Sequence, residues 1–95
     1  MIVRLSRRAE RDLEDITAYI AEDNPERAAS FARELYDRCQ ALSEFPEVSP
    51  VWKRSPQRTV RRAVYGNYLI FYSVEKQTVR IQRILHGARN IRRLL

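Results

Sequence analysis

A chain of 95 residues, 44% of them apolar, is long enough for one domain with one modest core and is too apolar for disorder to be the default. Its one cysteine, Cys39, has no partner for an internal disulfide, and Arg4, Arg7 and Arg8 arrive before any N-terminal apolar run can form, so a cytoplasmic domain without secretory signal or membrane span is expected. The net charge of +6 is uneven, with residues 1–50 summing to −4 and residues 51–95 to +10, which predicts an acidic or phosphate-bearing partner for the second half.

Ile2 to Leu5 is a short apolar opening and reads as a strand. Ser6 then offers an N-cap, and Ala9, Leu13, Ile16 and Ile20 recur at spacings of 4, 3 and 4. That spacing predicts an amphipathic helix running to about Glu22. Asp23-Asn24-Pro25 breaks it and starts another, because asparagine can cap and proline suits the first helical position. Ala28, Phe31, Ala32, Leu35, Cys39 and Leu42 form the apolar stripe of this second helix, which Ser43 to Pro46 ends. Two amphipathic helices with a tight link form an antiparallel hairpin. Cys39 lies on the stripe and reads as a small buried hydrophobe, not a nucleophile.

Pro46 to Arg58 holds three prolines and no periodicity, and reads as a loop crossing from hairpin to sheet. Trp52 within it is read as a plug at the core edge, with stacking on a base or partner as the alternative. Thr59 to Tyr65 alternates, and Gly66-Asn67 is a two-residue hairpin turn. Tyr68 to Val74 is apolar on both faces and belongs inside a sheet. After a turn at Glu75 to Gln77, Thr78 to His86 alternates again: Val79, Ile81, Arg83 and Leu85 one way, Arg80, Gln82, Ile84 and His86 the other. The expected fold class is α+β: a short first strand, then a two-helix hairpin packed on a mainly antiparallel sheet ending in a three-strand meander. Residues 1–95 form a single domain.

The chemistry on offer is narrow. One His and one Cys, far apart, make no metal site, and two glycines make no phosphate-cradling loop. No cofactor is expected. Metal-free RNA cleavage would need a base, an acid and cations at the phosphate. Arg61, Arg62, Arg80, Arg83 and Arg89 supply cations, and His86 supplies one proton-transfer group. A second such group is not evident, and His86 reads first as a structural residue ending its strand. Sixteen arginines against two lysines suit planar, bidentate contacts with carboxylate or phosphate.

Tyr68-x-Ile70-x-Tyr72, the run Leu85-His86-Gly87-Ala88-Arg89-Asn90 closing the last strand, and the preceding helical hairpin together resemble the ParE branch of the RelE/ParE toxin superfamily. The resemblance covers almost the whole chain. It implies the toxin of a type II toxin–antitoxin system, inhibiting DNA gyrase without catalysis. RelE-like relatives instead cut messenger RNA on the ribosome, which would make Arg61, Arg62 and His86 the catalytic residues. That branch carries a tyrosine near the C-terminus, and none follows His86 here, so no catalytic residue is expected. The implied partners are gyrase and an acidic, ParD-like antitoxin forming a hetero-oligomer. The basic partner-binding set is Arg61, Arg62, Arg80, Arg83, His86, Arg89, Arg92 and Arg93. The antitoxin groove is expected along Leu13, Ile16, Ile20, Phe31 and Leu35.

Overall fold

The computed structural model describes residues 1–88; the expectations placed on Arg89, Arg92 and Arg93 lie outside the described residues. The elements are β1 (Ile2–Leu5), α1 (Arg7–Ala21), α2 (Pro25–Ala41), β2 (Val51–Arg54), β3 (Thr59–Tyr65), β4 (Tyr68–Glu75) and β5 (Thr78–His86). The strands make one sheet in the order β1-β5-β4-β3-β2. Only β1 and β5 run parallel; the other neighbours are antiparallel. The α+β architecture is the one expected, with β3 to β5 as the meander and the apolar β4 at the centre.

Both helices begin on the caps that their sequences predict. Ser6 Oγ accepts from Ala9 N–H at 3.0 Å and donates to Gln82 O at 2.9 Å, so the cap also ties α1 to β5. Asn24 Oδ1 accepts from Arg27 N–H at 3.0 Å ahead of Pro25. Such a cap contributes about 1 kcal/mol. The inward stripes of α1 and α2 cover one face of the sheet. Ala9, Phe31, Leu35, Cys39 and Leu42 meet Ala63, Tyr68, Ile70, Tyr72, Val79, Ile81 and Ile84 in a single core, with Leu13, Ile16 and Ile20 packed against it.

Two details depart from the sequence reading. The proline-rich crossing contains an edge strand, β2, paired antiparallel with β3. Pro46, Pro50 and Pro56 all fall outside it, so the prolines bracket a four-residue strand that needs no interior proline. Trp52 on this strand packs edge-on against Phe71, ring centroids 4.9 Å apart, so its role is in packing. In β5 the strict alternation fails at Gln82. Phe71 stands opposite Arg83 and Tyr72 opposite Ile81, leaving Gln82 as the extra residue of a bulge. Tyr68, Ile70, Tyr72 and Val74 therefore face His86, Ile84, Ile81 and Val79. Ile84, not Arg83, joins Val79 and Ile81 in the core. Gln82 Nε2 donates to Ser73 Oγ at 3.0 Å, which satisfies the one buried polar side chain of β4.

Cys39 is 1% exposed, and burial pushes its thiol up to about 11. At pH 8 about one molecule in a thousand then carries the thiolate that reacts. A thiol-reactive chromophore added to native protein is expected to label Cys39 only as fast as the domain opens. Labelling at the rate of a free thiol would place Cys39 at the surface.

Candidate functional site

Among the described residues, the basic residues singled out in the sequence do not converge on one point, and several are already engaged by the fold. Arg61 donates from Nη1 to the carbonyls of Glu47 at 3.0 Å and Ser49 at 2.8 Å. It fastens the crossing to β3, helped by Tyr72 Oη, which donates to Pro46 O at 2.7 Å. Arg83 forms a fork on Asp12 of α1: Nε to Oδ2 at 2.9 Å and Nη2 to Oδ1 at 3.1 Å. Asp12 Oδ2 also accepts the Ile84 backbone N–H at 2.9 Å. The hydrogen bond to Asp12 raises the Arg83 pKa above its ordinary value. Both groups are spoken for.

Arg62 and Arg80 are different. Arg62 is half-buried opposite Phe71, and its side chain makes no hydrogen bond or ion pair among the described residues. Arg80 is exposed, opposite Ser73 on one side and Arg4 on the other. His86 Nδ1 accepts from the Ala88 N–H at 3.2 Å. Its ring meets Tyr68 edge-on, centroids 5.3 Å apart. With Nδ1 accepting, the neutral ring carries its proton on Nε2. Among the described residues, the geometry orients His86 without giving it a general-acid partner.

A polar network that the sequence reading missed lies on α2 and β3. Arg27 grips Glu34 with two nitrogens, at 2.8 and 3.2 Å, and Tyr65 Oη donates to Glu34 Oε1 at 2.7 Å. Arg27 also lies over the Phe31 ring at 5.2 Å. The seven-residue spacing of Arg27 and Glu34 puts them on one helix face and could have been read in the sequence. Tyr65, 31 positions away, carries no such signal. Hydrogen bonds from Arg27 and then Tyr65 lower the Glu34 pKa, while the bond to Glu34 raises that of Tyr65. A depressed carboxylate favours the folded state above its unfolded pKa and loses that contribution as pH falls through the folded value. Glu34→Gln is therefore expected to shrink the loss of thermal midpoint between pH 7 and pH 3, followed by circular dichroism. An unchanged difference between variant and parent would show that the network does not respond to acid.

The apolar residues assigned to an antitoxin groove divide by depth. Leu35 is 0% and Phe31 9% exposed, both inside the core. Leu13, Ile16 and Ile20 keep partial exposure. Leu13 alone among them lines an open cleft of about 490 Å³ between β1 and the hairpin, with Val3, Leu5, Tyr36, Glu10 and Glu14. Tyr36 there is 48% exposed. Beside it, β1 is an end strand of the sheet, so its outer edge offers unpaired backbone groups. Among the described residues no helix is long and apolar enough to cross a membrane.

The family model described as the ParE toxin of the type II toxin–antitoxin system parDE matches residues 3–91. The chain is 37% identical over 90 residues to Toxin ParE1 of Caulobacter vibrioides, covering 94% of this chain and 92% of that protein. Its fold is similar to a chain of the chromosomal ParDE system from P. aeruginosa, TM-score 0.74 at 17% identity, covering 90% of this chain and 95% of that one. It is also similar to a chain of the RelBE2 toxin–antitoxin complex of Mycobacterium tuberculosis, TM-score 0.60 at 23% identity, with the same coverage. A family match spanning both helices and all five strands decides the assignment: this chain belongs to the ParE toxin family of type II toxin–antitoxin systems.

Proposed function

We propose that this toxin inhibits DNA gyrase and is held silent by a cognate acidic antitoxin. The observation that carries the reading is the family match over residues 3–91. The site geometry supports a binding role over a catalytic one. Arg61 is committed to two loop carbonyls and Arg83 to Asp12. His86 has Tyr68 beside its ring and a backbone N–H on Nδ1, and the Tyr72 hydroxyl is turned to Pro46 O. RNA cleavage would need a second proton-transfer group placed across a phosphate from His86.

For the antitoxin, the cleft between β1 and the hairpin offers what an amphipathic segment requires. Val3, Leu5, Leu13 and Tyr36 provide apolar anchorage next to an open strand edge. The solved structures that share this fold come from toxin–antitoxin systems, which supports a partner of this kind. A segment that orders on binding can bury its apolar residues there while its acids meet the surrounding arginines.

A supercoiling assay with the purified full chain and gyrase tests the reading. Loss of supercoiling with accumulation of cleaved DNA–gyrase complex is expected, and adding the antitoxin should restore activity. Unimpaired supercoiling at a large excess of toxin, with no trapped cleavage complex, would sink it.

A further inference from the structure

We propose that the cleft between the first turn of α1 and the end of β5 binds the phosphate backbone of duplex DNA. The cleft, about 480 Å³, is lined by Ser6, Arg7, Arg8, Arg80, Gln82 and Arg83. Four arginines thus line one cleft from two elements more than seventy residues apart. A fifth, Arg4, stands directly beside Arg80 in the β1–β5 register. Like charges placed opposite one another on neighbouring strands destabilise the sheet unless something neutralises them.

The protein neutralises one of these arginines and leaves the others open. Arg83 is paired with Asp12. Arg4, Arg7, Arg8 and Arg80 are exposed and make no side-chain hydrogen bond or ion pair among the described residues. Asp12 and Asp15 border a separate cavity that Arg8 also touches. Asp12 is already used by Arg83 and the Ile84 N–H, and no acid lines the arginine cleft itself. The N-terminal end of α1 adds its positive dipole on the same side, since Ser6 is the cap.

The lining also says what kind of anion fits. No aliphatic residue lines this cleft, so the apolar side chains of an acidic peptide would have only arginine stems to pack on, in contrast to the Val3, Leu5 and Leu13 cleft. No aromatic ring lines it, so unstacked bases of a single strand have nothing to stack on. A duplex presents phosphates outward and keeps its bases stacked, and arginine forks match phosphate oxygens two at a time. This contact goes beyond the gyrase reading and does not depend on it.

The test uses the full-length toxin, without gyrase, in a fluorescence anisotropy titration of a labelled 20-base-pair duplex at several salt concentrations. R7A/R80A removes two cleft charges; R11A/R33A removes two exposed charges elsewhere. R7A/R80A is expected to weaken duplex binding about tenfold at 0.1 M salt and to flatten the log–log salt slope by about 1.8. R11A/R33A should leave the slope unchanged. Circular dichroism confirms that both variants are folded. Equal losses in the two variants would overturn the proposal by showing diffuse attraction to a basic protein. So would failure of the parent to bind duplex, or a labelled single-stranded RNA that loses more affinity than the duplex in R7A/R80A.

Discussion

Leu35→Ala is expected to destabilise the domain by about 3 kcal/mol. Leu35 is fully buried where α2 meets the sheet, in one core with Tyr72, Ile70 and Ile81. Truncation removes three carbons, two of them methyls, and the surrounding strands cannot close over the space, because β4 is paired on both sides. For a domain of this size, total stability is on the order of 5–14 kcal/mol, so the loss is a large share. The thermal midpoint should fall by about 15 °C. Urea denaturation should show a lower midpoint with an unchanged slope, since the surface exposed on unfolding barely changes. A loss below about 1 kcal/mol would mean that the side chain is not enclosed, and Leu35 would return to the list of residues a partner can touch. The expected outcome instead separates two roles within the one expected groove: Leu35 and Phe31 of α2 hold the fold, while Leu13 of α1 lines an open cleft.

That separation shows where sequence reasoning reached and where it stopped. Periodicity located both helices, and the two caps located their starts, because those signals are local: a side-chain oxygen and an N–H three residues on. The apolar run from Tyr68 to Val74 marked the central strand for an equally local reason. Periodicity cannot say how deep a stripe lies, however, and it grouped buried Leu35 with partly exposed Leu13. Nor could it see the bulge at Gln82, because one inserted residue reverses the facing of all that follows. With the alternation unbroken, Arg83 and Leu85 would have shared a face with Val79 and Ile81; the register gives that face to Ile84 and His86.

The basic half was legible as charge, while its partition was not. Total charge does not reveal that Arg61 is bonded to Glu47 and Ser49 carbonyls, or that Arg83 is answered by Asp12 from 71 positions away. It also hid Arg7 and Arg8. They sit in the acidic half of the sequence, yet the parallel β1–β5 pairing carries the start of α1 alongside Arg80 and Gln82. Folding thus redistributes the cations that sequence halves seemed to separate. Four of the free ones, Arg4, Arg7, Arg8 and Arg80, gather at the α1–β5 junction.

Asp12→Ala should be the most damaging single change among the polar residues. Asp12 receives three hydrogen bonds, two from Arg83 and one from the Ile84 backbone N–H. The Ile84 bond matters because β1 pairs with β5 only from Thr78 to Ile81, so beyond Ile81 no strand among the described residues receives the β5 donors on that side. Removing the carboxylate leaves a half-buried guanidinium and a backbone N–H without partners at once. A fully buried pair broken from one side costs about 3–5 kcal/mol. With the two side chains 12% and 21% exposed, water recovers part of that, and about 2 kcal/mol remains.

Arg83→Ala should cost less, about 1 kcal/mol, because Asp12 keeps the Ile84 N–H and turns its other oxygen to solvent. The asymmetry is the signature of this arrangement. The double variant D12A/R83A should be no less stable than D12A alone, since the second change removes the orphaned cation. Chemical denaturation of the three variants measures all of these differences. Equal single losses that sum in the double variant would mean the two residues act independently, and Asp12 would not be the tie between α1 and β5. If the tie holds, Arg83 works by position: it fixes the first helix against the last strand, and so fixes the spacing of Arg7 and Arg8 from Arg80. D12A should then weaken duplex binding through a disordered cleft even though it makes the protein more positive, a sign opposite to the one that charge alone predicts.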